Sequence, residues 1–170
     1  MRIRTSLMAM WLLLTASVAF AQSTPGFLSI PSSSFTPQTS EGTGNAGYDG
    51  NLTGTARFFE GSFLMFAPVN LPHRATVTSL TCGGRAPSRD FKVSFILRRN
   101  EPQQANVDMA TVSTTFEGTG FQFVRTTSIT SAVIDNARFN YYIAAQTDAF
   151  DVGFCPRCSI GFCTIGYTVN

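Results

Sequence analysis

Along Asp90–Arg99, apolar and polar side chains alternate with a period of two. Phe91, Val93, Phe95 and Leu97 fall on one side, and Lys92, Ser94 and Arg98 on the other, with Ile96 among them. A period of two puts successive side chains on opposite faces of a strand, whereas a helix would need its apolar residues three and four apart. This is the clearest of a set of such segments. Gly61–Val69, Ala75–Cys82, Val107–Thr115, Phe121–Thr127, Phe139–Thr147 and Ile160–Val169 are also expected to be strands. Gly83–Ser88 and Asn100–Asn106 read as loops, and Ile129–Ala137 as either one helical turn or a bent connection. Short strands at this spacing, without a convincing helix, imply an all-β domain: a two-sheet antiparallel sandwich, jelly-roll-like.

The start of the chain has another purpose. Arg2 and Arg4 precede an apolar run from Leu7 to Phe20, and Ala19-Phe20-Ala21 is an A-x-A processing site. This is the pattern of a secretory signal peptide, residues 1–21, cleaved after Ala21. Cleavage removes two Arg and no acid, so 12 basic and 10 acidic residues become 10 and 10. A neutral chain lacks the clustered positive field that nucleic-acid binding needs. No second apolar run reaches the ~20 residues of a membrane-spanning helix, so no transmembrane helix is expected and the chain reads as secreted, periplasmic or cell-surface. From Gln22 onward there are 19 Thr and 15 Phe against 6 Leu, a bias toward residues that suit a pleated, half-buried surface. Residues 22–55, rich in Ser, Thr, Pro and Gly, read as an irregular N-terminal arm with one short strand around Phe27–Ile30. Residues 56–170 read as the sandwich.

Four cysteines follow the signal: Cys82, Cys155, Cys158 and Cys163. An even count in an exported chain implies two disulfides, with three possible connectivities. The preferred pairing is Cys155–Cys158 as a local loop and Cys82–Cys163 as a tie between strands. A redox role for Cys155-Pro156-Arg157-Cys158 would need its first Cys at a helix N-terminus, and the surroundings read as β. A zinc site would need all four thiolates, and export favours their oxidation.

Other chemistry is thinly represented. His73 is the only histidine and sits in the turn Asn70–Arg74; no G-x-S-x-G elbow accompanies it. Asp135, Asp148 and Asp151 fall in expected turns, and no spacing forces two carboxylates together as glycoside hydrolysis requires. The D-x-D-x-D-G calcium loop is absent, and the glycine runs at 42–47 and 118–120 lack a nucleotide-binding context. Asn51-Leu52-Thr53 matches a glycosylation sequon. No catalytic residue, metal or cofactor is therefore expected.

Three segments also carry a resemblance. Phe66–Leu80 contains Leu71-Pro72-His73-Arg74-Ala75-Thr76-Val77; further on stand Met109-Ala110-Thr111-Val112-Ser113 and Ile134-Asp135-Asn136-Ala137-Arg138-Phe139-Asn140-Tyr141. Together these pieces resemble an exported bacterial β-sandwich family of unknown function with an LPxGAxV-type motif. The resemblance implies a surface or secreted β-sandwich and brings no catalytic residues. The chain departs from the pattern at Arg74, where the usual residue is Gly, and a side chain there argues against a positive-φ turn.

The reading is of a secreted structural or binding module with a cell-surface or carbohydrate ligand. The rivals are a fimbrial-type subunit, an outer-membrane barrel and a carbohydrate hydrolase. Leu64 and Phe66 oppose Phe63 and Met65, and Ile96 opposes Phe95, so strands are apolar on both faces. A second cover is expected, either the N-terminal arm or another copy in a homo-oligomer, with a trimer favoured.

Overall fold

The computed structural model describes residues 23–37, 46–48, 56–58, 64–86, 91–101, 104–114, 121–149 and 158–169. The signal segment, the sequon, Cys155 and Asp151 lie outside the described residues. Among the described residues eleven strands run in chain order: β1 (Thr24–Ile30), β2 (Thr36–Pro37), β3 (Ala46–Tyr48), β4 (Ala56–Phe58), β5 (Leu64–Val69), β6 (Thr76–Arg85), β7 (Phe91–Asn100), β8 (Val107–Ser113), β9 (Gln122–Thr126), β10 (Asn140–Ala149) and β11 (Ser159–Val169). A 3-10 turn at Ser32–Ser34 is the only helical element among the described residues.

One sheet, A, has the order β3-β4-β11-β6-β9, with β1 also paired to β11; the other, B, has the order β2-β5-β10-β7-β8. Every pairing is antiparallel. Equivalent positions in β4-β11-β6-β9 and β5-β10-β7-β8 are filled by strands consecutive in sequence: β4 with β5, β11 with β10, β6 with β7, β9 with β8. That is the order of a two-sheet antiparallel sandwich with jelly-roll topology.

The alternation read from the sequence sets the core. Val93, Phe95 and Leu97 of β7, Ile143 and Ala145 of β10, Leu80 and Cys82 of β6, and Ile160, Cys163 and Ile165 of β11 are all buried between the sheets. The segment read as an irregular arm supplies a strand to each sheet. β1 pairs with β11 from Cys163 to Val169, and β4 takes the same edge at Ser159 and Ile160. β2 then pairs with β5. Ile30 and Phe35, on either side of the 3-10 turn, close the core where the chain crosses between sheets.

Gly83 and Gly84, read as loop, lie inside β6. A Cβ on Gly84 would come within 3.1 Å of the Phe95 ring, and one on Gly83 would collide with Phe121. These glycines make room for rings on the two faces of the sheet and do not turn the chain. Residues 129–137 form a bent connection, held by an isolated bridge between Val133 and Thr76.

Candidate functional site

Three places in the fold gather chemistry. The first is the disulfide pair. Cys82 and Cys163 face each other in the β6–β11 register, are fully buried and are bonded, with Cα atoms 4.1 Å apart. Cys158, just before β11, is also disulfide-bonded, and no described cysteine is free. Its expected partner Cys155 is outside the described residues. Oxidation of Cys82 and Cys163 takes two thiolates from any Cys₄ zinc site, and no cluster of potential metal ligands occurs among the described residues.

The second place joins two segments that the sequence only juxtaposes as motifs. The β5–β6 turn and the β9–β10 connection are laced together at one end of the sandwich. Arg74 N–H donates to Ile134 O at 2.8 Å, and Ile134 N–H donates back to Ala75 O at 2.8 Å. The Asn136 amide donates to Leu71 O at 2.9 Å, and Asn136 N–H donates to His73 Nδ1 at 3.2 Å. Asp135 N–H donates to the Tyr141 hydroxyl at 2.8 Å, while the Asp135 carboxylate accepts from Ala137 N–H at 3.1 Å. No carboxylate neighbours His73 in sequence, but the fold places Asp135 Oδ1 3.9 Å from Nδ1. Because Nδ1 accepts from Asn136, His73 acts here as a hydrogen-bond acceptor that fixes a loop. Arg74 adopts φ 66°, so the positive-φ turn forms despite its side chain. Asp135 lies in this lace and Asp148 in β10 opposite Lys92, so the fold does not pair these two acids.

Beside the lace is a cavity of about 310 Å³, lined by Arg99, Glu101, Gln104, Ala105, Val107, Arg138 and Phe139. Two guanidiniums lie over the Phe139 ring, Arg99 at 4.5 Å and Arg138 at 5.1 Å from its centroid. Arg138 also pairs with Glu101 at 3.3 Å.

The third place is the outer face of sheet A. Phe121, Phe123 and Phe162 pack in series with ring centroids 5.4 Å apart, edge-on between Phe121 and Phe123 and tilted between Phe123 and Phe162. Phe121 lies on the bare backbone of Gly83 and Gly161; a Cβ at either position would fall under 2.5 Å from its ring. Phe123 remains 60% exposed. Next to the rings, the register aligns Ser29, Thr164, Thr81 and Arg125 across β1, β11, β6 and β9. Their neighbours Cys82, Cys163 and Val124 point into or pack against the core, so this polar row faces outward. An aromatic ridge beside a row of hydroxyls and a guanidinium can stack a ligand and hydrogen-bond it at once. The sequence alone does not single out this ridge. Its signal was phase: Phe121 and Phe123 alternate with Gln122 and Val124 in a strand whose inner residues are not aromatic.

No protein-family model matches the sequence, nor does any curated protein. Among solved structures, the chain is similar to the C-terminal CBM6 of LamC, a marine laminarinase from Zobellia galactanivorans, at 11% identity and a TM-score of 0.47, covering 82% of this chain and 98% of that one. It is also similar to TmCBM61, solved in complex with β-1,4-galactotriose, at 12% identity and a TM-score of 0.34, covering 85% of this chain and 88% of that one.

Proposed function

We propose that this chain is an exported, non-catalytic binding module whose recognition surface is the outer face of sheet A and whose ligand is a carbohydrate. The observation that carries the reading is the pairing of the Phe121–Phe123–Phe162 ridge with the polar row Ser29–Thr164–Thr81–Arg125. A sugar ring has apolar C–H faces and a rim of hydroxyls. It therefore needs an aromatic surface and hydrogen-bonding partners side by side, held on rigid elements. Both rows stand on paired strands braced beneath by the Cys82–Cys163 bond. The bond suits an oxidising compartment, as the N-terminal signal does. Among the described residues no helix is long and apolar enough to cross a membrane.

The face also suits a second reading, association between copies, because Phe27 at its β1 side is 75% exposed. One experiment separates the two. Depletion of the mature protein by a panel of insoluble polysaccharides is measured beside its mass by light scattering. Carbohydrate binding that Phe123→Ala abolishes, with the fold intact and the protein monomeric, supports the proposal. A dimer or trimer that Phe123→Ala dissociates, with no polysaccharide retained, replaces it with the assembly reading.

A further inference from the structure

The cavity at the laced end of the sandwich contains a charge without an acceptor. Along β7 the inward positions are Val93, Phe95 and Leu97, and the same phase continues to Arg99, which stands opposite the core residue Tyr141. Arg99 thus directs a guanidinium into the end of the core. Its Nε is buried without a hydrogen-bond partner, and among the described residues it forms no ion pair; its close contact is the Phe139 face. Arg138, which also lies over that ring, is matched by Glu101. The two cations and one carboxylate lining the cavity leave one positive charge unbalanced. A cation–π contact satisfies no N–H donor. A half-buried guanidinium that meets no carboxylate favours an anion at its terminal N–H groups.

The rest of the lining narrows the ligand. Glu101 is an acceptor for hydroxyl groups, Gln104 both accepts and donates, and Ala105 and Val107 form an apolar wall. The cavity is large enough for a single small ring at about 310 Å³. We infer that this cavity binds one sugar carboxylate, a uronate residue, with its carboxylate on Arg99 and its hydroxyls toward Glu101 and Gln104. The site uses none of the residues of the sheet-A face, so either proposal can fail without the other.

The experiment titrates the mature protein by calorimetry with glucuronate and galacturonate, and with glucose, galactose and acetate as matched controls. A uronate should bind at least about tenfold more tightly than its neutral sugar and than acetate, because the charge and the hydroxyls both contribute. Arg99→Gln should weaken that binding about tenfold or more, while Phe123→Ala leaves it unchanged. Glu101→Gln should strengthen acetate binding more than uronate binding, since it releases Arg138 from its partner but weakens an acceptor for the sugar hydroxyls. Raising the salt concentration should weaken it. Equal binding of uronate and neutral sugar, equal binding of acetate, or an Arg99→Gln variant that binds uronate as well as the parent would each overturn the inference. Should Arg99→Gln fail to fold, Arg99→Lys decides: it keeps the charge but not the planar fork, and uronate binding as tight as the parent's counts against the site.

Discussion

The two sheets of this sandwich treat their outer faces in opposite ways. On sheet B the register lines up Phe66, Ala144, Ile96 and Thr111. Beside them run Pro68, Tyr142, Arg98 and Asp108, and on the other side Leu64, Gln146, Ser94 and Ser113. The polar flanks are closed on themselves: Ser94 and Ser113 share a hydrogen bond of 3.0 Å, and Arg98 Nε donates to Asp108 at 2.6 Å. That bond holds the Arg98 guanidinium above its ordinary pKa. Phe66 meets Tyr142 edge-on, and Ile96 is only 5% exposed. On sheet A the rings of Phe27, Phe121, Phe123 and Phe162 are exposed, and Ser29, Thr164, Thr81 and Arg125 stand aligned across the strands. A face whose donors and rings are already matched has nothing left for a ligand; an unmatched face does. This contrast, more than the number of Phe residues, points to sheet A as the recognition surface.

The largest test concerns what both faces stand on. The Cys82–Cys163 bond spans a sequence separation of 81 residues. In the chain-entropy account a loop of that length contributes about 4 kcal/mol. Cys82→Ala with Cys163→Ala should lower the stability by about that amount in urea unfolding. Cys158→Ser should cost much less if its partner is the nearby Cys155, because the closed ring is then short. Equal losses would show that the bond at Cys158 closes a longer loop than its sequence neighbourhood implies.

The next test sets the two faces directly against each other. Ile96→Ala removes a side chain buried on the outside of sheet B and should cost about 2–3 kcal/mol. Phe123→Ala, on the exposed side of sheet A, should cost under about 1 kcal/mol while removing ligand binding. The contrast fails if the two variants lose the same stability in denaturant titrations.

These faces also show how far a sequence can be read. Alternation carried the seven long strands and the jelly-roll class, because burial on one face imposes a period of two. At Ile96 an apolar residue at an outward position asks for a second cover, and Ile96 and Ala144 are buried within this chain. Composition shortened β1 and hid β2: Pro, Ser and Gly mark turns on average, but β1 is an edge strand that starts before Phe27 and tolerates Pro25, and β2 ends at Pro37. Gly83-Gly84 read as a loop for the same reason. His73 and Asn136 are joined across 63 residues, which no local pattern reveals. The cavity did leave a trace. Arg99 continues the phase of Phe95 and Leu97, and a charge at a core phase marks a site or a cap.

A subtler change tests the glycine floor. In Gly161→Ala the new Cβ would lie 2.3 Å from Phe121 Cζ, so the ring must lift. The ring edge is free to move, and the cost should be about 1 kcal/mol, in the lower range for overpacking. The effect on recognition should be larger than the effect on stability: binding on the sheet-A face falls and the near-ultraviolet aromatic signal changes. Unchanged binding would mean that Phe121 only fills space and that Phe123 and Phe162 form the working surface.

The smallest effect is expected where the chain departs from the motif it resembles. Arg74 has φ 66°, a conformation in which a side chain crowds its own backbone and which glycine adopts freely. The turn holds because the surrounding hydrogen bonds determine it: Ala75 N–H donates to Pro72 O at 3.1 Å, Arg74 N–H to Ile134 O, and Asn136 to Leu71 O. Arg74→Gly relieves the local crowding but frees the unfolded chain, and the two contributions oppose each other. The net should be a stabilisation of up to about 1 kcal/mol, seen as a small rise in the urea midpoint. Uronate binding in the neighbouring cavity should not change, since the Arg74 side chain is exposed and does not line it. A loss of stability in Arg74→Gly would mean that the Arg74 side chain contributes more than its backbone conformation costs. A loss of uronate binding with stability kept would extend the cavity's electrostatic reach to the β5–β6 turn.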